Sequence, residues 1–308
     1  MEAIATIFSF CSNDWRFFDR CIEGVRPFSS QILVTVCDHF FDGSPENYAL
    51  LEFFYKKYPE VTFIEFSYSQ ERSYCYASTL NASHHLWRHE WHNTGRWIAY
   101  FFLNEQIEYL YFCDGDEISD SFRFVDWLKT GDYQYYSAIR FACYWYFRSA
   151  CYRALEKDDM CLWVRKQDLD PQIFWNEHER MGVYLNIKGN KKEQMKGCDG
   201  KPLVHHYSWV RTEAEMYQKF HCWGHFWERD WKKFIQEEYA RPFSGTDFIR
   251  QYRYEQVEPF FDPLALEAPL VEPIEYRAHL SHIEKMNNVK RVSAQQMFQK
   301  ELQYLFDV

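Results

Sequence analysis

Basic charge is in short supply in this 308-residue chain, where 35 Lys and Arg stand against 45 Asp and Glu for a net charge of -10. A nucleic-acid binder needs clustered Lys and Arg for its phosphate contacts, so that class is set aside. None of the ten cysteines forms a Cys-x-x-Cys pair, and the start Met1-Glu2-Ala3-Ile4 lacks the basic residues and apolar core of a signal peptide. The cysteines are therefore expected to be reduced thiols in a cytoplasmic protein. No run approaches the roughly 18 apolar residues of a membrane span, which leaves only peripheral membrane contact. Internal repeats and low-complexity tracts are missing too.

Aromatic residues, by contrast, make up 20% of the chain. Most are expected to fill core, with a minority forming a platform for a partly wet, partly apolar ligand. At this length the chain suits one large α/β domain with an appendage. Apolar runs alternate with helical patterns through the first half, the mark of a parallel sheet with crossover helices. Strands are expected at Ala3–Phe10, Gln31–Cys37, Val61–Phe66 and Glu108–Cys113. Helices are expected from the Ser12-Asn13-Asp14 cap to Val25, after Ser44-Pro45-Glu46 with Ser44 as N-cap, over Gly95–Leu103, and over Asp120–Leu128. Beyond Gly131, aromatic strands at Tyr135–Arg148 and Cys161–Lys166 have no helix between them and suggest an antiparallel extension. Lys188–Lys201 reads as a Gly- and Lys-rich loop, Leu203–Tyr207 as a strand, and Thr212-Glu213-Ala214-Glu215 as a capping box that opens a helix. Prolines 259, 263, 269 and 273 mark an extended segment before an amphipathic helix over Ser293–Phe306.

The most informative stretch is Tyr109-Leu110-Tyr111-Phe112-Cys113-Asp114-Gly115-Asp116-Glu117, an apolar strand that ends in three carboxylates around one glycine. Desolvating an ionised carboxylate costs several kcal/mol, roughly, unless a cation or donors compensate it. A divalent metal is the expected compensator, because residues i and i+2 share a face and hard oxygens suit Mg²⁺ or Mn²⁺. Ser9, Asn13, Asp38, Ser67, Asp114 and Asp116 all follow the carboxyl ends of expected strands, the edge at which open α/β sheets bind ligands.

With these residues in place, the first half resembles the nucleotide-sugar-binding core of GT-A glycosyltransferases, family 2-like enzymes in particular. The resemblance rests on Phe10-Cys11-Ser12-Asn13-Asp14-Trp15, on Val36-Cys37-Asp38 with Asp42-Gly43-Ser44, on Asn93-Thr94-Gly95-Arg96, and on Asp114-Gly115-Asp116. It implies an α/β, Rossmann-like GT-A fold with a mixed, mainly parallel sheet: a catalytic domain over residues 1–210, its donor half to about residue 120, and a C-terminal helical region with an extended tail over 211–308. It further implies a nucleotide diphosphate of a UDP- or GDP-sugar lying against Ser9, Asn13, Asp38, Arg96, Asp114 and Gly115, with Asp38 on the uracil or ribose. Asp114 and Asp116 would hold Mn²⁺ or Mg²⁺ on the diphosphate, with His206 completing the shell and His205 as its rival. The acceptor would be a carbohydrate or a lipid-linked hydroxyl. Glu177 and Glu179 stand where a catalytic base is wanted, with Asp158-Asp159 as fallback, and a base there implies inversion.

His221 and His225, at i and i+4, share a helix face and with Cys222 invite a metal reading, but Cys222 stands where a zinc protease has its Glu, so the three are expected to be packing or acceptor-side residues. A haloacid-dehalogenase-type phosphatase also uses Asp-x-Asp at a strand end, usually on its first strand; here three strand-helix units precede it. A sugar nucleotidyltransferase wants a glycine-rich loop after strand one, and Phe8–Trp15 has no glycine. A non-catalytic carbohydrate-binding scaffold on the same fold is the reading from another class.

Overall fold

The computed structural model describes residues 2–68, 87–176, 179–222, 228–297 and 299, with backbone alone at 87–90, 175 and 176. Among them one mixed sheet contains twelve strands. β1 (Ile4–Phe10), β2 (Gln31–Cys37), β3 (Thr62–Phe66) and β4 (Tyr109–Asp114) come from the first third of the chain. Then follow β5 (Glu117–Ser119), β6 (Ala138–Phe147), β7 (Ser149–Ala154), β8 (Asp158–Arg165), β9 (Lys191–Met195), β10 (Val204–Trp209), β11 (Tyr254–Gln256) and β12 (Val289–Val292). The helices are α1 (Trp15–Val25), α2 (Tyr48–Lys57), α3 (Trp87–Tyr100), α4 (Ser121–Leu128), α5 (Ile173–Asn176), α6 (Arg180–Asn186), α7 (Glu213–Cys222), α8 (Trp231–Tyr239) and α9 (Tyr276–Ile283).

Strand order is β11-β7-β6-β8-β4-β1-β2-β3-β12. From β12 to β4 every pairing is parallel. From β4 through β8, β6 and β7 to β11 every pairing is antiparallel. The expected α/β class and mixed sheet are therefore what this chain adopts. β1 to β4 point the same way, so Phe10, Cys37, Phe66 and Asp114 end on one edge. Near-continuous burial along β1, β2 and β4 is what a parallel sheet covered on both faces requires.

α1 buries Phe17, Phe18, Cys21, Ile22 and Val25, a helical stripe, against one face of that sheet. Gly24 lets it approach, since a Cβ there would stand 2.6 Å from the Ser119 carbonyl oxygen. On the opposite face Trp91, Trp97, Ile98 and Ala99 of α3 pack with Ala5, Ile7, Leu33 and Leu110.

Several local expectations are corrected. α2 starts at Tyr48, and Asn47, not Ser44, is its N-cap, accepting from the Leu50 amide at 3.1 Å. Ser44 instead donates its hydroxyl and amide to Asp42 in a tight turn. Part of the expected loop over 188–201 is strand β9, parallel to β6, and β7 was not foreseen. The helix after Ser293 is described only at its start; the rest lies outside the described residues.

Beyond residue 210 the chain is woven into both edges of the sheet, through β11 and β12. A polar network secures it. His279, fully buried, reaches Glu65 at 2.8 Å and Glu52 at 3.2 Å, Tyr55 donates to Glu65 at 2.9 Å, and Arg291 reaches Glu65 at 3.1 Å. Burial alone would lower the His279 pKa, but hydrogen bonds and charge from Glu65 and Glu52 outweigh it and raise the imidazole above its ordinary value. A raised folded-state pKa gives stability that is complete below the unfolded value of about 6.5 and is lost as pH climbs through the folded one. The melting temperature is expected to fall as pH is raised above that value, and calorimetry across pH 6–9 checks it. His279→Ala should cost about 3–5 kcal/mol by leaving two buried carboxylates short of a partner, measured by urea unfolding at pH 6.

Candidate active site

The apolar run of β4 stops at Asp114 because the chain turns there into β5, which pairs antiparallel with β10. The turn is held on both sides: the Gly115 amide donates to the Ser9 carbonyl at 2.9 Å, and the Tyr207 amide to the Asp116 carbonyl at 2.9 Å. Gly115 is needed for closeness, since a Cβ would lie 3.1 Å from both Phe10 and Asp14 side-chain carbons. This turn stands in the wall of a cleft of about 710 Å³.

The carboxylates of the turn are not bare. Asp114 accepts from Arg96 at 2.9 Å on one oxygen and from Arg180 at 3.0 Å on the other. Glu117, fully buried, is gripped by Arg180 through both oxygens at 2.5 and 2.6 Å, and accepts from the Asp114 amide at 2.8 Å. Asp116 takes Lys219 at 3.1 Å and Arg211 at 3.4 Å on one oxygen, while its other oxygen lies 3.6 Å from His206 Nε2. Arg211 also donates to Asp14 at 2.5 Å, to the Ser208 carbonyl at 2.8 Å and to the Asn13 carbonyl. Four acids, Asp14, Asp114, Asp116 and Glu117, thus face four cations, Arg96, Arg180, Arg211 and Lys219.

The electrostatics follow from this packing. Burial works against charge on Asp114, but Arg180 and Arg96 outweigh it and hold the carboxyl below its usual range. Burial is likewise overcome at Asp116, by the charges of Lys219 and Arg211 and a hydrogen bond from Ser208, and its pKa is strongly lowered. Asp14 goes the other way: burial and the neighbouring Asp116 charge raise it despite Arg211. Glu46, buried against Ser12, is pushed up to about 8 chiefly by desolvation and is protonated at neutral pH. His206 is lowered by burial, so its imidazole is neutral.

The expected site residues fall as follows. Ser9, Asn13, Arg96, Asp114, Asp116, His206 and Glu179 all line the cleft. The Ser9 hydroxyl is buried and has no hydrogen-bond partner among the described residues. His205 and His206 point to opposite faces, as the strand period requires: His205 bonds Tyr146 at 2.8 Å and stacks on Phe260 at 3.9 Å, whereas His206 meets Asp116. Glu177 and His225 lie outside the described residues. Asp38 is not among the lining residues. Its carboxylate accepts from Tyr276 at 2.5 Å, Arg291 at 2.6 Å, the Tyr68 amide at 2.7 Å and His39 at 2.8 Å. Its pKa is lowered to about 2, since the His39 bond and the Arg291 charge outweigh burial.

Arg180, Arg211 and Lys219 are the residues that reading the chain did not single out. The cations lie 63 to 197 residues from the acids they meet. Only the rule that a buried carboxylate must find a cation pointed to them, without saying which of the 35 Lys and Arg would serve.

The wall beyond the turn is aromatic and charged, with Trp145, Trp209 and Trp231 beside Arg140, Asp158, Asp159 and Arg250. Asp159 is raised by burial, only partly countered by Arg140. A second acidic group, Cys113, Glu117 and Cys161, brings ligand atoms within 4.8 Å of one another beneath the turn. Arg180 already occupies both Glu117 oxygens there.

No protein-family profile and no curated protein matches the chain. Among solved structures, 4-diphosphocytidyl-2C-methyl-D-erythritol synthase of Anaerococcus prevotii is similar at TM-score 0.39 and 8% identity, over 63% of this chain and 90% of that one. The glycosyltransferase GlyE of Streptococcus pneumoniae is similar at TM-score 0.35 and 10% identity, over 78% and 64%. Glucosyl-3-phosphoglycerate synthase of Mycobacterium tuberculosis, solved with Mn²⁺, UDP and phosphoglyceric acid, is similar at TM-score 0.35 and 8% identity, over 85% and 89%. Likeness this distant assigns neither family nor activity.

Arg211→Met is expected to cost about 3–5 kcal/mol, because Asp14 loses its ion-pair partner and Asp116 keeps only Lys219. Denaturant unfolding, with far-UV circular dichroism to confirm the fold, checks it.

Proposed function

We propose that this chain is a glycosyltransferase with a GT-A-like core, moving a sugar from a UDP- or GDP-sugar to a carbohydrate or lipid-linked hydroxyl with the help of a divalent metal. One observation carries the reading. The Asp-Gly-Asp turn, at the carboxyl edge of four parallel strands, puts Asp114, Asp116 and a neutral histidine into one cleft together with guanidinium and ammonium groups. Carboxylates beside strong phosphate donors suit a ligand that is both polyhydroxylated and anionic.

Asp116 and His206 fit a Mn²⁺ or Mg²⁺ ion. Their facing atoms, 3.6 Å apart, are too far for a hydrogen bond, and the buried Nδ1 of the same imidazole has no hydrogen-bond partner among the described residues. A carboxylate oxygen and a neutral imidazole nitrogen form a donor set suited to Mn²⁺. Asp114 enters through its position beside them, although both its oxygens are held by arginines. When bound, the ion supplies positive charge to the diphosphate leaving group.

The chain's own residues do the rest. Arg96 and Arg180 keep Asp114 ionised and oriented, and Gly115 keeps the turn narrow enough to stand beside Asp14. Glu179, at the start of α6, lines the same cleft and is the proposed base for the acceptor hydroxyl. Buried Asp159, with its raised pKa, is the alternative. A base in either place makes the reaction inverting. The phosphatase reading is disfavoured because its nucleophile would be Asp114, whose two oxygens are engaged by guanidinia.

Hydrolysis of a panel of nucleotide sugars with Mn²⁺ tests the proposal without knowledge of the acceptor. A UDP- or GDP-sugar should be turned over slowly, and either nucleoside diphosphate with Mn²⁺ at about 100 times its Kd should stabilise the fold by roughly 2.7 kcal/mol. Asp116→Asn should abolish the metal-dependent part. Absence of both hydrolysis and metal-dependent stabilisation favours the scaffold reading instead.

A further inference from the structure

Asp116 is held by two cations that differ in their freedom to leave. Arg211 is 1% exposed and spends its guanidinium on Asp14, the Asn13 and Ser208 carbonyls and Asp116 at once. Moving it would strip several buried acceptors. Lys219 reaches the same oxygen from the last turn of α7, on a side chain 15% exposed that lines the cleft, with its ammonium 5.2 Å from the Trp209 ring centre. Its four-carbon stem and point charge let it change partners where a planar, multiply bonded guanidinium does not.

The proposed metal position is defined by Asp116 and His206, so an ion placed there shares its carboxylate with the Lys219 ammonium. Arg211 and Lys219 already share one oxygen of that carboxylate, so a divalent ion on the other would be its third positive partner, and in a wall of low dielectric the added repulsion is strong. Of the two cations present, Lys219 is the one free to leave. We propose that Lys219 is the exchangeable counter-ion of Asp116: it occupies the carboxylate when the cleft is empty, yields it to the divalent ion, and turns to the anionic phosphates of the donor. This rests on the metal-dependent reading above and assigns to α7 the task of coupling ion binding to donor binding. No proton or covalent bond is exchanged in the step; one ion pair is replaced by another.

The test is a Mn²⁺ titration followed by the electron paramagnetic resonance signal of free Mn²⁺, together with calorimetric titration of UDP and GDP at saturating Mn²⁺. Lys219→Met should bind Mn²⁺ alone about 3- to 10-fold more tightly than the unaltered protein, because the competing charge is gone. It should bind the preferred nucleoside diphosphate about 10-fold more weakly, because a charge-assisted contact is lost. Lys219→Gln should behave alike, and Lys219→Arg should stay near the unaltered protein in Mn²⁺ affinity. A residue that merely props the helix would weaken both affinities. Unchanged or weaker Mn²⁺ binding in both neutral variants, with the unaltered protein binding Mn²⁺, overturns the exchange and leaves the transferase reading standing. Tighter Mn²⁺ binding with unchanged nucleotide affinity overturns the transfer to phosphate. No Mn²⁺ binding by any of these proteins overturns the metal-dependent reading itself, and the exchange with it.

Discussion

Everything around the cleft depends on the need to compensate buried carboxylates at the β4–β5 turn. Asp116 and Glu117 are almost wholly removed from water and Asp114 is partly so. Their partners arrive from α3, from the start of α6, from the end of β10 and from α7. No local segment can satisfy the turn, so it becomes stable only when the parallel and antiparallel halves of the sheet have closed around it. Removing one cation leaves a buried charge short of a partner and is costly, whereas the intact set of pairs contributes little net stability. The ion pairs therefore specify geometry more than they hold the molecule together, and hydrophobic burial on the two sheet faces supplies the larger driving force.

Asp38 shows the same constraint put to a different use. It ends β2 on the edge where ligands bind, yet Tyr276, Arg291, His39 and the Tyr68 amide take up its lone pairs. Two of these donors come from the last part of the chain, so the carboxylate pins α9 and β12 beside β3. Position at a strand end decides that an acid will be near the functional edge. What reaches it in space decides whether it meets a ligand or another part of the fold.

That distinction also marks what could be read from the chain. β1 to β4 were legible because each is a short apolar run between polar breaks, and the antiparallel extension because two aromatic strands had no helix between them. The Thr212–Glu215 capping box is present, with Thr212 and Glu215 exchanging both hydrogen bonds. Local rules failed where two signals competed. Ser44 and Asn47 both suit an N-cap, and Asp42 captured the serine while Asn47 took the helix. Charge masked a strand in β9, where Lys191, Lys192, Glu193 and Gln194 pair only along one edge and stay largely exposed. The turn, His206 and Arg96 were visible as residue types at telling places. Arg180, Arg211 and Lys219 were not, since a cation that meets an acid across 63 to 197 residues leaves no spacing to recognise.

The balance of four acids against four cations has a further consequence for how the cleft can discriminate. A wall of matched charge exerts no strong long-range pull on a bare polyphosphate and offers little to a lone cation, since each carboxylate is already answered. Affinity must then come from rearranging pairs within the wall. The arginines are poor candidates for movement, because each is bound by several buried acceptors whose bonds would have to be remade together. An ammonium on a flexible stem can exchange a single partner at small cost. The arrangement of three anchored guanidinia and one movable lysine is thus a wall that stays paired when empty and accepts an anion and a cation more readily together than either alone.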